Sequence, residues 1–339
     1  MDWPKLDDVL EGDSHGLIIH HWDADGISTA AMLQMYLERR GKTIELFSPV
    51  IGNFFLSGPD RQAIMGEYDF VMVCDIALPA PDIGWVAEHW KTIHIDHHLL
   101  KHDDIIQINP VVNDVDPSEF PSASWVTTAF LGMPHSLLSI YGVIGDVGKR
   151  VEGMPVWEDV QKVMQRYHLD FDDVQEIVDL LDSSYKVGDR DGVVNAVAKL
   201  RHAYEDPEAI LHDKAWHANL DSIDTEMKRL LSLPNEEVHG ITVKEIETRF
   251  NLISALGRDM AADHGAAFVI NRGYFEDRDQ LYLRRTDGIT VGDIIDAARG
   301  RGYSAGGKNE VVGMVVPKDE TESAIGLVYE LSEGKTPRQ

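Results

Sequence analysis

Three short apolar runs in the first third of the chain constrain its fold most strongly. The runs GLIIHH (16–21), DFVMVCD (69–75) and KTIHID (91–96) are rich in β-branched residues and almost continuously apolar. Strands of this kind are buried on both faces, as in a parallel sheet covered by helices. Between the first two runs, ISTAAMLQMYLERRG has helical spacing and ends at Gly41, a typical helix stop. This alternation predicts an α/β fold with right-handed crossovers.

The rest of the chain shows two further patterns. Residues from about 155 to 232 carry several stretches of helical periodicity, and a second α/β pattern begins near 238. In that second pattern, AAFVINRG and QLYLRRTDG are typical of paired strands, and YSAGGKNEVVGMVVP of a glycine-rich turn entering a strand. We therefore expect an N-terminal parallel-sheet domain (1–155), a helical connector (156–237) and a smaller C-terminal α/β domain (238–333).

Composition excludes several classes of protein. The formal net charge of −27 argues against a broad duplex-binding face, although metals and a few arginines can still hold a few phosphates. No stretch approaches the roughly 20 apolar residues of a membrane span. The acidic N-terminus lacks the features of a signal peptide, and the single cysteine, Cys74, excludes an internal disulfide. These features favour a cytoplasmic location.

Acidic and histidine residues gather where the predicted strands end. The end of the first run and the residues after it supply His20, His21, Asp23 and Asp25. The second run ends at Asp75, and the third ends at Asp96, followed by His97 and His98. A fourth segment, SIYGVIGDVGKR, places Asp146 in a glycine-flanked turn after another apolar run. Because the carboxyl ends of parallel strands share one edge, four such ends are expected to meet at one crevice. Carboxylates mixed with imidazoles, and no thiolate, suit two Mn²⁺ or Mg²⁺ ions, with Zn²⁺ or Co²⁺ as alternatives.

These motifs resemble those of a known superfamily. HWDADG, the aspartate of VCDIALP, DHH at 96–98 and IGDVG resemble the four motifs of the DHH phosphoesterase superfamily. YSAGGKNEVVG (303–313) and LRRTDG resemble the GGGH and RS signatures of the associated DHHA1 domain. The resemblance covers about 1–155 and 240–333. The superfamily includes RecJ-type exonucleases, oligoribonuclease/pAp phosphatases, cyclic-dinucleotide phosphodiesterases and family II pyrophosphatases.

The resemblance implies roles for individual residues. The implied metal ligands are His21, Asp23, Asp25, Asp75, His97 and Asp146. Asp75 and Asp146 are similar to the residues that bridge or share the two ions. His98 resembles the histidine that faces the substrate phosphate, so that Asp75 and His98 are the implied catalytic residues. His21 fits the HxDxDG spacing. Other branches of the superfamily place the histidine four residues before the first aspartate, a position held here by Ile19, next to His20. We therefore expect His21 to be the ligand and His20 to have a structural role.

The C-terminal signature departs from the superfamily pattern. The histidine of GGGH is replaced by Lys308, while Gly306 and Gly307 remain. Lysine keeps a donor and adds a positive charge, so contact with phosphate survives the change. Arg285 aligns best with the substrate arginine, and Arg284 lies on the opposite strand face. The implied substrate-binding residues are therefore His98, Arg285, Gly306, Gly307 and Lys308.

The resemblance implies a two-metal, Mn²⁺-preferring phosphodiesterase acting on short or single-stranded nucleic acid, with Mg²⁺ or Co²⁺ as alternatives. A homodimer is compatible with this interpretation. A cyclic-dinucleotide or pAp phosphoesterase is an alternative within the same chemistry. A non-catalytic replication-scaffold relative is an alternative of another class, although such a protein is expected to have lost several ligands. Pyrophosphatase is disfavoured because the C-terminal signature is of the DHHA1 type.

Overall fold

A computed structural model describes residues 3–333. The chain divides into two compact units. The first comprises the described residues up to 185 together with 189–220, and the second comprises 186–188 with the described residues from 221. Most of the predicted connector therefore groups with the first unit. The predicted boundaries at 155 and 237 follow sequence motifs and stay predictions.

The first unit is built on a five-stranded sheet in which every pairing is parallel. Its strands are β1 (His15–His20), β2 (Thr43–Phe47), β3 (Phe70–Cys74), β4 (Lys91–Ile95) and β5 (Ile106–Ile108). Their order is β2-β1-β3-β4-β5. The three apolar runs thus form the three central strands, and β3 is completely buried. The sequence analysis missed β2 and β5, the two edge strands.

Helices cover this sheet and extend the first unit. They are α1 (Leu6–Val9), α2 (Ala24–Glu38), α3 (Gly58–Ala63), α4 (Ala80–His89), α5 (Ala123–Phe130), α6 (Leu137–Val147), α7 (Trp157–Tyr167), α8 (Phe171–Lys186), α9 (Arg190–His202) and α10 (Pro207–Leu211). Helix α11 (Lys214–Leu231) begins in the first unit and ends in the second. Helix α2 packs against α5, α6 and α9. Short 3₁₀ turns occupy Val111–Asn113, Pro117–Glu119 and Gly148–Gly153.

Two sequence expectations for this unit are wrong in detail. The segment around Asp146 was expected to follow a strand, but it lies in helix α6. A short apolar run fits either a buried strand or a buried helix, and periodicity cannot separate the two. Helix α2 begins at Ala24 rather than near Ile27, because the Asp23 carboxylate caps it by accepting a hydrogen bond from the Gly26 N–H.

The second unit contains a six-stranded mixed sheet. Its strands are β6 (Glu236–Val238), β7 (Ile241–Ile246), β8 (Ala266–Asn271), β9 (Arg278–Arg285), β10 (Ser304–Lys308) and β11 (Val311–Pro317), in the order β10-β11-β9-β8-β7-β6. Its helices are α12 (Ile253–His264), α13 (Gly292–Gly300) and α14 (Thr321–Ser332), with a 3₁₀ turn at Lys318–Glu320. The predicted pairing of AAFVINRG with QLYLRRTDG is confirmed as β8 and β9, which are antiparallel. The expected glycine-rich turn is instead strand β10, paired with β11.

Each face of the second sheet has its own apolar core. Along β8, Phe268 and Ile270 belong to a cluster with residues of α13 and α14. Ala267 and Val269 belong to a second cluster with residues of α12. Alternate residues of a strand point to opposite faces, so β8 is buried on both sides. Among residues 3–333, no helix is long and apolar enough to cross a membrane.

Candidate metal centre

The site lies at the edge of the first sheet where the strands β1, β3 and β4 end. His21 follows β1, Asp75 follows β3, and Asp96 begins the turn after β4. These three strands are neighbours and run parallel, so their carboxyl ends are side by side. The sheet therefore brings side chains from three distant parts of the sequence to one edge.

One group of potential ligands comprises His21, Asp23 and Asp75. Their ligand atoms all lie within 4.8 Å of one another. His21 Nδ1 lies 2.7 Å from Asp23 Oδ2 and 3.7 Å from Asp75 Oδ2. One imidazole nitrogen and two carboxylates in this space suit a divalent cation such as Mn²⁺.

A second group comprises Asp25, His97 and Asp146, whose ligand atoms also lie within 4.8 Å of one another. His97 Nε2 lies 2.9 Å from Asp146 Oδ2. Asp25 stands in the first turn of α2 and is 1 % exposed. This group is assembled from two helices and one strand end.

Asp75 connects the two groups. Its Oδ2 faces His21, and its Oδ1 lies 3.6 Å from His97 Nε2. Asp75 Oδ2 is buried and has no hydrogen-bond partner among the described residues. The backbone of Asp75 is also left-handed, with φ of 59°, a conformation that is costly outside glycine and clusters at functional sites. A buried carboxylate oxygen without a partner fits a metal ligand, so the donors around Asp75 suit a divalent cation.

The close spacing of buried carboxylates shifts the pKa values of the residues in the site. Burial, together with the charges of Asp25 and Asp23, raises the pKa of Asp75 well above its usual value. Burial and the charge of Asp146 raise the pKa of Asp25 to about 6. Burial opposes protonation of His97, but Asp146 outweighs it and raises the pKa of His97 to about 9. Without cations the site therefore holds protons, and a bound cation would take their place.

Helix α5 fixes the orientation of Asp25. Asp25 Oδ2 accepts a 2.6 Å hydrogen bond from the N–H of Ala123, and Oδ1 a 2.9 Å bond from the N–H of Ser124. These are two of the N–H groups that the first turn of a helix leaves unpaired. The partly positive helix N-terminus also stabilises the carboxylate. Asp25 is thus held in place without a cation.

Asp96 supports the two histidines that follow it. Its Oδ1 accepts bonds from the N–H of His97 at 2.8 Å and from the His98 ring Nδ1 at 2.7 Å. Burial disfavours a charged Asp96, but His98 and His94 outweigh it and hold the pKa of Asp96 well below its usual range. Because Nδ1 of His98 is committed to Asp96, Nε2 is the ring nitrogen that this contact leaves open. The predicted contact of His98 with a substrate phosphate stays a prediction.

The choice between the two first-motif histidines follows from their surroundings. The His20 ring is completely buried and its Nδ1 lies 2.7 Å from the carbonyl oxygen of His21. Burial, the largest cause, lowers the pKa of His20 to about 4. Only His21 belongs to the ligand groups found among the described residues. The assignment of His21 as a ligand stays a prediction that this geometry favours.

The predicted substrate residues of the second unit have a different setting. Arg285 is 5 % exposed, and its Nε and Nη2 bind Asp287 at 3.0 and 2.6 Å. Its Nη1 is buried without a hydrogen-bond partner among the described residues. Gly306 and Gly307 lie in β10, where they pair with Gly313 and Val312. The side chain of Lys308 lies outside the described part of the chain.

The sequence analysis missed one supporting residue of the centre. Asp182 of helix α8 accepts a 2.9 Å hydrogen bond from the N–H of Ala24, at the start of α2. It therefore steadies the turn that carries Asp23 and Asp25. No local pattern distinguishes Asp182 from the other acidic residues of α8. The contact of α5 with Asp25 had a weak signal, since Ser122 is a typical helix N-cap.

Several solved structures resemble this chain. RecJ from Thermus thermophilus in complex with Mn²⁺ matches with a TM-score of 0.66 and 15% identity, covering 96% of this chain and 53% of that one. Exonuclease RecJ bound to manganese matches with a TM-score of 0.64 and 14% identity, covering 98% and 93%. The DHH domain of a member of the s1p family of ribosomal proteins matches with a TM-score of 0.68 and 14% identity, covering 97% and 88%.

The chain spans about half of the length of the Thermus RecJ. No protein-family model matches the chain, and no curated protein matches it. At this level of identity the matches establish the fold alone. They cover nearly the whole chain, and so include both the parallel sheet and the mixed sheet. The chain therefore has the fold of these RecJ structures and of that DHH domain.

Proposed function

We propose that this chain is a two-metal phosphodiesterase that hydrolyses phosphodiester bonds in short or single-stranded nucleic acid. The observation that carries the proposal is the pair of ligand groups that meet at Asp75. Six potential ligands on three strand ends and two helices are more than a structural ion pair requires. The solved structures of this fold that contain Mn²⁺ support manganese as the first metal to test.

Each residue of the centre has a distinct task in this proposal. His21 and Asp23 would hold one cation, and Asp25, His97 and Asp146 would hold the other. Asp75 lies beside both groups and would be available to each. The bound cations supply Lewis acidity, which lowers the pKa of water and offsets the charge of the phosphoryl oxygens. Asp96 would keep the His98 ring turned so that Nε2 faces a phosphoryl oxygen, to which it donates a hydrogen bond when the imidazole carries a proton on each nitrogen.

The charge of the molecule restricts the substrate. A chain with 58 acidic and 31 basic residues attracts a long polyanion poorly. A short oligonucleotide needs only the few phosphate contacts that the cations and nearby side chains provide. We therefore rank short linear substrates first, and cyclic dinucleotides and pAp as alternatives of the same chemistry.

A hydrolysis panel tests the proposal. The protein is incubated with Mn²⁺ and, separately, a trinucleotide, a 5′-labelled single-stranded 20-mer of DNA or RNA, pAp, a cyclic dinucleotide and pyrophosphate. Cleavage of the oligonucleotides is the expected result. Cleavage of only pAp or the cyclic dinucleotide would select an alternative substrate, and no cleavage of any nucleotide would support the scaffold alternative.

The matched variant is Asp75→Asn. Asparagine has the same shape and tolerates the left-handed backbone of this position, so the substitution removes charge without adding strain. We expect hydrolysis to fall by at least a thousandfold while the near-UV circular dichroism spectrum is retained. Full Mn²⁺-dependent turnover in a folded Asp75→Asn protein would contradict the proposed centre.

A further inference from the structure

A row of three rings leads from the metal centre to the surface of the first unit. The rings of His21 and Trp22 have centroids 4.2 Å apart, and those of Trp22 and Phe54 are 5.8 Å apart. Trp22 is 4 % exposed, whereas Phe54 is 47 % exposed. One end of the row is therefore a predicted metal ligand, and the other end is a phenyl ring in contact with water.

The loop that carries Phe54 is anchored on both sides of it. Ile51 and Leu56 are each 3 % exposed, and Leu56 belongs to the apolar core of the first sheet. A turn closed by a 3.0 Å bond from the N–H of Asn53 to the carbonyl oxygen of Val50 precedes Phe54. An anchored loop holds the ring of Phe54 outward, and the exposure of that ring has an unfavourable hydration cost.

The position of Phe54 differs from that of other exposed apolar side chains. Among the described residues, the large hydrophobic side chains that are exposed are Phe54, Met65, Leu99 and Leu231. Phe54 is the aromatic member of this set, and its ring is no more than about 10 Å from the ring of His21 by the two centroid steps. That distance is of the order of one nucleotide, from phosphate to base.

Two arginines beside this loop are already paired with carboxylates. Arg61, shortly after the loop, binds Asp82 at 2.6 Å. Arg190 binds Asp60 at 2.9 Å and lies over the ring of Phe47. Since the arginines beside this loop are engaged, a nucleobase that lies there has to be held by uncharged contacts. Stacking on an aromatic ring is such a contact, and it is insensitive to base identity.

We propose that Phe54 is a stacking platform for a nucleobase of the substrate, placed beside the metal centre. The inference rests on the proposed phosphodiesterase function and narrows it to substrates that carry a base. It predicts that base-free phosphates bind poorly. Trp22 supports the platform, since its buried ring packs near the rings of both Phe54 and His21.

The test compares ligands that differ only in the base. Inhibition of trinucleotide hydrolysis is measured with 5′-AMP and with ribose 5-phosphate, in wild type, Phe54→Ala and Phe54→Trp. Met65→Ala is the matched control, because Met65 is also exposed in the first unit but has no place in the ring row. Circular dichroism and thermal unfolding establish that each variant is folded.

We expect 5′-AMP to bind wild type about tenfold more tightly than ribose 5-phosphate, the size of one base–aromatic contact. Phe54→Ala should remove that preference and raise KM for the trinucleotide about tenfold, with kcat nearly unchanged. Phe54→Trp should retain the preference, and Met65→Ala should resemble wild type.

Two outcomes of the inhibition assay would overturn the inference alone. One is an unchanged preference for 5′-AMP in Phe54→Ala, and the other is equal weakening of both inhibitors, which would indicate a general distortion. An altered oligomeric state of Phe54→Ala with an unchanged KM would assign the ring to a contact between copies instead. Absence of trinucleotide hydrolysis by wild type would overturn the proposed function, and the inference with it.

Discussion

Gly142 of helix α6 lies directly against the carboxylate of Asp25. A Cβ atom at Gly142 would come 2.0 Å from Asp25 Oδ1 and 2.2 Å from the hydroxyl oxygen of Ser124. Only glycine allows the helix to approach the predicted ligand this closely. The spacing IYGVIGD therefore serves two purposes, since it brings Asp146 into the site and leaves room for Asp25.

We therefore expect Gly142→Ala to destabilise the protein, although this substitution usually stabilises a helix. Replacing glycine by alanine inside a helix normally stabilises it by roughly 0.5–1 kcal/mol. Here we expect destabilisation by roughly 1–3 kcal/mol through overpacking, and at least a tenfold loss of hydrolysis because Asp25 must move. Urea unfolding and turnover assays measure both effects.

Gly84→Ala in helix α4 is the matched control. A Cβ atom at Gly84 meets no other atom within 4 Å, so this variant should be at least as stable as wild type and fully active. Equal stability of the two variants would contradict the close approach at Gly142.

Asp182 should affect the centre without contacting a substrate. Asp182→Ala removes the acceptor of the Ala24 N–H, a helix-capping contact of roughly 0.5–2 kcal/mol. We expect Mn²⁺ to bind up to about tenfold more weakly by calorimetry. Asp182→Asn keeps an acceptor oxygen and should restore most of the affinity. Asp172→Ala, on the exposed side of the same helix, should have no effect.

Mn²⁺ should stabilise the first unit. At a concentration of one hundred times Kd, a bound ligand contributes about 2.7 kcal/mol to the free energy of unfolding. We expect a rise in Tm of several degrees that EDTA reverses, since cations relieve the repulsion among Asp25, Asp75 and Asp146. A comparable rise in Asp75→Asn would count against metal binding at this centre.

His20 should make stability depend on pH. In the unfolded chain a histidine is protonated below about pH 6.5, whereas burial lowers the pKa of His20 in the fold to about 4. The unfolded state therefore binds more protons, and stability falls as the pH drops from about 6.5 towards 4.

A variant isolates this contribution. His20→Asn keeps a donor for the His21 carbonyl oxygen but does not titrate. Between pH 7 and 5, with EDTA present, we expect wild type to lose roughly 2 kcal/mol more than His20→Asn, by urea unfolding. Parallel losses would show that His20 titrates normally in the fold.

We expect Arg285 to contribute mainly to the stability of the second unit. Its guanidinium is buried and forms two bonds to Asp287, and removing one partner of a buried pair typically costs about 3–5 kcal/mol. We expect Arg285→Met to destabilise the second unit by roughly this amount in urea unfolding. Arg284→Met, next to it and only weakly bonded to Tyr282, should cost much less. A stable Arg285→Met with impaired substrate binding would favour the substrate role instead.

The sequence by itself determined the three central strands of the first sheet and the candidate ligands at their carboxyl ends. Short, continuously apolar runs have few alternatives to buried parallel strands, and the polar residues that follow them have to lie at one edge. The positions of His21, Asp75 and His97 at that edge follow from this pattern alone.

Only the tertiary structure decided how the remaining residues complete the centre. Asp146 reaches it from helix α6, Asp182 steadies it from α8, and the N-terminus of α5 orients Asp25. The engagement of Arg285 with Asp287 and the exposure of Phe54 beside Trp22 were likewise not readable from the sequence. The physical reason is that strand ends are fixed by local hydrophobic pattern, whereas contacts between helices depend on packing between residues far apart in the sequence.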